Sequence, residues 1–128
     1  MILDSSAIIA LARREPGLDD VLQKLIAGGR TAIGAPTLVE TGIILEARMN
    51  LDARALLERL LTDFEIATIH FADAHWREAI AAFRRYGKGR HPAGMNFGDC
   101  LTYAVAKLSG EPLLCTGDDF PRTDLDLV

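Results

Sequence analysis

Five acids stand where a fold can draw them together: Asp4, Glu40, Asp99, Asp118 and Asp119. Asp4 closes the apolar run Met1-Ile2-Leu3. Asp118 and Asp119 follow Leu113-Leu114-Cys115 after a Thr116-Gly117 turn. Glu40 and Asp99 fall in the first turns of helices that open near Pro36-Thr37 and Asn96-Phe97. Convergence of such groups is costly, since two unit charges roughly 5 Å apart repel by about 3 kcal/mol at an effective dielectric near 20. A divalent cation at the centre offsets that cost. Hard oxygen donors with no His or Cys signature beside them suit Mg²⁺ or Mn²⁺ better than zinc. Such an ion acidifies a bound water and stabilises both oxygens of an in-line phosphoryl displacement.

Each acid taken singly has a local reading as well. Thr37-Leu38-Val39-Glu40 fits a capping box, and Asn96-Phe97-Gly98-Asp99 is a similar pattern. Asp4 ahead of Ser5-Ser6 can help to cap its helix, and Asp118-Asp119 are ordinary turn residues. Only their conjunction points to chemistry.

The elements that must position these acids are read from periodicity. Met1-Ile2-Leu3 is a first strand, and Ser5 or Ser6 caps a helix from Ala7 to about Arg14, which Pro16-Gly17 ends. Leu18, Val21, Leu22, Leu25 and Ile26 stripe a second helix, stopped by Gly28-Gly29. Thr31-Ala32-Ile33 is a second strand, followed by a helix from Pro36-Thr37 to about Met49. Leu56, Leu57, Leu60, Leu61 and Phe64 mark a fourth helix, and Ile66 to Ile69 a third strand. Trp76, Ala79, Ile80 and Phe83 mark a fifth helix, with Trp76 and Phe83 assigned to packing. Gly87 to Gly94 is a loop. Leu101, Ala104, Val105 and Leu108 stripe a sixth helix, Pro112 to Cys115 is a fourth strand, and Leu125 to Val128 offers a short fifth. Short strands alternating with helices imply one α/β domain over 1–128, with a mostly parallel sheet of four to five strands and helices on both faces. In such sheets ligands bind outside the carboxyl ends of the strands.

At 128 residues, two domains would each be too small for a good core. With 49% apolar and 25% charged residues the balance is that of a soluble globular chain, which excludes disorder as the main state. No apolar run reaches the roughly 20 residues of a membrane helix, and the start lacks a signal peptide's basic region. A cytoplasmic protein without membrane contact is expected. A net charge of −4 argues against nonspecific coating of nucleic acid. Cys100 and Cys115, the only cysteines, form no CxxC and read as reduced thiols.

The segments Met1-Ile2-Leu3-Asp4-Ser5-Ser6-Ala7, Pro36-Thr37-Leu38-Val39-Glu40, Asn96-Phe97-Gly98-Asp99-Cys100 and Leu113-Leu114-Cys115-Thr116-Gly117-Asp118-Asp119-Phe120 span nearly the whole chain. Together they resemble the PIN domain, and within it the VapC toxins of bacterial toxin–antitoxin pairs. The resemblance implies a three-layer α/β/α sandwich and an Mg²⁺- or Mn²⁺-dependent endoribonuclease that hydrolyses RNA phosphodiester bonds with a metal-activated water. It also implies inhibition by a cognate VapB-type antitoxin and homodimerisation. The family's first three acids fall on Asp4, Glu40 and Asp99, and its small hydroxyl residue on Ser6. Many relatives place the fourth acid within a T-x-D-x-D-F run, a position that, counted back from Phe120, is Gly117 here. Asp118 is the natural substitute and Asp119 the second choice. In the implied mechanism Asp4 and Asp99 hold the principal metal, and Glu40 binds it directly or through water and orients or deprotonates the nucleophile. Asp118 assists, with Asn96 and Asp119 in support.

The stretch Arg84 to His91 carries Arg84, Arg85, Lys88 and Arg90 and no acid, and reads either as a backbone track for RNA or as a solvated helix end. Tyr86 beside it is a candidate for stacking on a base. His70 and His75 are read as structural or surface residues. The Leu18–Ile26 and Leu38–Met49 helices, the latter with Arg48, would line an antitoxin groove or simply pack the core. Two other functions fit an acidic α/β domain: a non-catalytic binding domain of the same fold, and a receiver-like phosphoacceptor module. The second would want an acceptor Asp after a middle strand, where His70-Phe71 stand after Ile66–Ile69.

Overall fold

A computed structural model describes residues 1–128, with β1 Ile2–Leu3, α1 Ser5–Arg13, α2 Leu18–Ala27, β2 Thr31–Gly34, α3 Ala35–Met49, α4 Ala53–Asp63, β3 Ile66–Ile69, α5 Asp73–Tyr86, α6 Phe97–Ser109 and β4 Leu113–Leu114. The four strands form one parallel sheet in the order β3-β2-β1-β4. Successive side chains of a strand point to opposite faces, and here that alternation divides the interior into two cores. Ile2 and Leu113 join α5 and α6 through Ala82, Tyr86, Tyr103 and Val105 on one side. Leu3 and Leu114 join α1 to α4 through Ile8, Val21, Leu45 and Leu57 on the other. The result is the expected three-layer α/β/α sandwich. No helix is long and apolar enough to cross a membrane.

The winding places the site. From β1 to β3 the chain moves outward through helices on one face, then returns through α5 and α6 on the other face to lay β4 against the far side of β1. The direction of winding therefore reverses between β1 and β4, and the crevice at their carboxyl ends is the natural ligand position of such a sheet. Asp4 and Thr116 lie just beyond those two ends.

Three local expectations are corrected. Asp4 itself caps α1, because the Ser6 N–H donates to its Oδ2 at 3.0 Å, so the helix starts at Ser5 rather than Ala7. Helix α3 begins at Ala35 with Gly34 as its cap and Pro36 in its first turn, so Glu40 lies in the second turn and completes no capping box with Thr37. The Thr37 hydroxyl instead meets the Thr102 hydroxyl at 2.9 Å in a buried bond between α3 and α6. The C-terminal tail reaches the sheet only as a single bridge between Leu127 and Leu113, not as a fifth strand. The edge strand β3 runs into His70, so no acid stands where a phosphoacceptor module needs one.

Candidate active site

Two helix N-termini and two strand ends frame one acidic pocket. Asp4, buried, leaves β1 and caps α1, and its backbone N–H donates to Leu114 O at 3.0 Å, which locks it to β4. Asp99 is half-buried in the first turn of α6 within a reciprocal capping box. Its N–H donates to Asn96 Oδ1 at 3.0 Å, and its Oδ2 accepts from the Asn96 N–H at 2.7 Å. Both carboxylates thus sit where the helix dipole favours negative charge. The Ser6 hydroxyl accepts from the Thr116 N–H at 3.0 Å and ties α1 to the loop after β4.

Glu40 approaches from α3. Its carboxyl lies so close against Gly98 that a Cβ there would meet it, and Ser5 at the start of α1 is near enough to favour its charged form. The sequence Asn96-Phe97-Gly98-Asp99 therefore does more than cap the helix: with glycine at 98 the Glu40 carboxyl can lie against α6, and a Cβ there would push it aside. Sequence reasoning missed Gly98, and also Ser5, because neither contact is local along the chain.

Charge shows that the acids act on one another. Asp99 is pushed up to about 6, first by burial and then by the charges of Asp119 and Asp4, against the pull of its backbone hydrogen bond to Asn96. Glu40 is raised by burial, then by Asp4 and Asp99. The Cys115 thiol is pushed up to about 11 by burial and by Asp4, so it remains protonated and offers no thiolate. The charges of Asp4 and Asp99 therefore reach Glu40, and the charge of Asp4 reaches Asp99. Asp119 is the tail acid whose charge reaches Asp99; Asp118 is exposed and acts on none of these groups. No ion pair anywhere in the chain involves these acids. The donor set is hard oxygen with no thiolate or imidazole, which fits Mg²⁺ or Mn²⁺. As the side chains lie, no three of them are gathered tightly enough to ligate one ion, so the cluster stands open.

The four cations Arg84, Arg85, Lys88 and Arg90 are exposed, and two of them are already engaged. Arg85 pairs with Asp124 at 3.4 Å and donates to the Tyr86 hydroxyl at 2.9 Å, while Arg90 stacks over Phe83. Tyr86 is buried against Tyr103, which removes it as a base-stacking surface. His75 accepts from the Ala72 N–H at 3.0 Å at the start of α5, a structural role, and His70 is exposed. Trp76 and Phe83 are exposed on the outer face of α5 rather than packed in the core. Ala79 and Ala82 take the inward positions.

Comparison with known proteins agrees with this fold. The PIN domain family profile matches residues 1–125. The chain is 43% identical over 127 residues to ribonuclease VapC36 of Mycobacterium tuberculosis, covering 98% of this chain and 91% of that protein. It is 37% identical over 132 residues to ribonuclease VapC30 of the same species, covering 100% and 98%. The crystal structure of Mycobacterium tuberculosis VapC20, described as a sarcin-ricin loop cleaving toxin, superposes with a TM-score of 0.81 at 16% identity, over 99% of this chain and 97% of that one. A toxin–antitoxin complex from Klebsiella pneumoniae gives 0.73 at 17% identity over 99% and 95%. With its fold, its shared acidic pocket and relatives aligned end to end, this chain belongs to the PIN domain family, alongside the VapC ribonucleases.

Proposed function

We propose that this chain is a divalent-cation-dependent endoribonuclease and the toxin half of a toxin–antitoxin pair, held inactive in the cytoplasm by a cognate VapB-type antitoxin. The observation that carries this reading is the unpaired cluster of Asp4, Glu40 and Asp99 at the switch point of the sheet. Three mutually repelling carboxylates with no Lys or Arg beside them cost stability, and a hard cation is what relieves that cost. Asp4 and Asp99 would hold Mg²⁺ or Mn²⁺ with Glu40 beside them, and Asp119, or else Asp118, would complete the donor set. When bound, the ion supplies charge neutralisation at the scissile phosphate and acidifies water.

The chain's own residues do the rest. Glu40, raised in pKa and lying against Gly98, would take a proton from the attacking water at its carboxylate. The Asn96–Asp99 box and the Ser6–Thr116 bond fix the two ends of the pocket before RNA arrives, so little reorganisation is needed. The exposed cations Arg84 and Lys88 can meet the RNA backbone; Arg85 and Arg90 already have partners.

The test is cleavage mapping on total RNA with purified wild type, Asp4→Asn and Asp99→Asn, with Mg²⁺ or Mn²⁺ and with chelator. Discrete 5′ ends from wild type alone, abolished by chelator, are expected. Equal cutting by all three proteins, or cutting that survives the chelator, would overturn the reading.

A further inference from the structure

Asp119 stands on an exposed loop and faces an acid of like charge. Its charge reaches Asp99, and that repulsion opposes the close approach of the loop to α6. Its carboxyl also leans back along the chain, with Oδ2 3.5 Å from the point where a Cβ on Gly117 would lie. Residues 116–119 belong to no helix or strand and make no backbone–backbone hydrogen bond. The loop is therefore held from its ends.

Ahead of it, the Thr116 N–H donates to the Ser6 hydroxyl at 3.0 Å. Behind it, the Phe120 ring is buried in the same core as Tyr103. Thr123 closes a turn on the Phe120 carbonyl, donating from its N–H at 2.9 Å and from its hydroxyl at 2.7 Å. Asp124 follows, and its carboxylate collects three donors. Oδ1 accepts from the buried Tyr103 hydroxyl at 2.6 Å, and Oδ2 from Lys107 at 3.0 Å and Arg85 at 3.4 Å. Asp99, Tyr103 and Lys107 recur four residues apart, which sets them along one face of α6. The chain after β4 thus runs beside that face as a strap, with Asp119 towards Asp99 and Asp124 on Tyr103 and Lys107. Acid meets acid at one end, and acid meets a phenol and two cations at the other. The second end offsets the first.

We infer that Asp124 is a positioning residue for the cation site: bound to Tyr103, Lys107 and Arg85, it holds the strap along α6 and so keeps the Asp119 carboxylate within reach of the ion that Asp4 and Asp99 would bind. The inference rests on the proposed cation site and adds to it a residue that acts only through another. Two simpler roles for Asp124 make different predictions. A surface ion pair that merely adds stability leaves loop order and ion affinity of the folded protein unchanged. A remote negative charge that merely attracts cations acts whether or not Asp119 is present.

The experiment compares wild type, Asp124→Asn, Asp119→Asn and the double variant at a temperature where circular dichroism shows all four folded. Asparagine keeps the shape of Asp124 and can still accept from Tyr103, so the core beneath the strap is retained. Two readouts are taken. The first is the set of backbone amide order parameters for residues 116–120 in metal-free protein, from nuclear magnetic resonance relaxation. Values of about 0.85 are expected in wild type and below about 0.6 in Asp124→Asn, with α6 unchanged in both. The second is Mn²⁺ affinity. Each single variant is expected to bind about three- to tenfold more weakly than wild type, and the double variant no more weakly than Asp119→Asn alone. Order parameters or Mn²⁺ affinity indifferent to Asp124→Asn would overturn the inference, as would losses that multiply in the double variant. Those results leave Mn²⁺ binding by wild type intact, and with it the proposed cation site. A wild type that binds no Mn²⁺ would instead overturn that site, and the positioning role with it.

Discussion

At the scale of single residues the pocket is a place where folding and chemistry conflict. Asp99 has a raised pKa, so between about pH 4 and 6 the folded protein holds a proton that the unfolded chain has released. Its contribution to stability therefore falls as pH rises through that window. Asp99→Asn is expected to remove this slope and to raise stability at pH 7 by about 1 kcal/mol, with allowance for screening of a half-exposed group. Urea titrations at pH 4 and pH 7 measure it; a variant less stable than wild type at pH 7 would contradict the account. Gly98→Ala separates the two roles from the other direction. It improves helix propensity by up to about 1 kcal/mol, yet its methyl group displaces the Glu40 carboxyl. The expected outcome is an unchanged or higher melting temperature with RNA cleavage down about tenfold or more. Asp4 and Asp99 were legible in the sequence because a strand end and a helix cap announce themselves locally. The choice between Asp118 and Asp119 was not, since side-chain direction in a turn after Gly117 is set by what packs beneath it.

At the scale of elements, the helices that carry the acids are tied together by few polar contacts, and these are open to test. The Thr37–Thr102 hydroxyl pair is the buried bond between α3, which bears Glu40, and α6, which bears Asp99. Thr102→Val leaves the Thr37 hydroxyl without that partner and is expected to cost about 1–3 kcal/mol in chemical denaturation. On the far side of α6, Asp124 accepts from the Tyr103 hydroxyl at 2.6 Å and pairs with Lys107 at 3.0 Å. The Tyr103 hydrogen bond and the cations Lys107 and Arg85 hold the Asp124 carboxyl well below the usual range. Its stabilisation is present above about pH 4 and is lost as pH falls further, so Asp124→Asn is expected to destabilise at pH 7 and to converge on wild type in strong acid. Helix α5 shows why periodicity misled. Trp76, Ile80 and Phe83 form a stripe of the correct spacing, but Ala79, Ala82 and Tyr86 form another, and the small side chains won the interior. Alanine allows α5 and α6 to approach closely, and no pattern within one helix reports how near its neighbour comes. The opposite error at α3 has a similar origin: Pro36 suits a first turn, and its presence there moved Glu40 one turn inward from the expected cap.

At the scale of the whole molecule, the order β3-β2-β1-β4 gathers residues separated by most of the chain, from Asp4 to Asp119, at one edge of the sheet. The α/β class and the alternation of elements were readable from apolar runs. The single-bridge tail was not, because Leu125 to Val128 pairs only where Leu113 is already anchored. The central claim is that Asp4, Glu40 and Asp99 form one cation site, and Mn²⁺ titration followed by the electron paramagnetic resonance signal of the free ion tests it most directly. The account predicts saturable binding by wild type, weakened about tenfold or more in Asp4→Asn and in Asp99→Asn, with both variants still folded. Equal Mn²⁺ binding by wild type and both variants would contradict it.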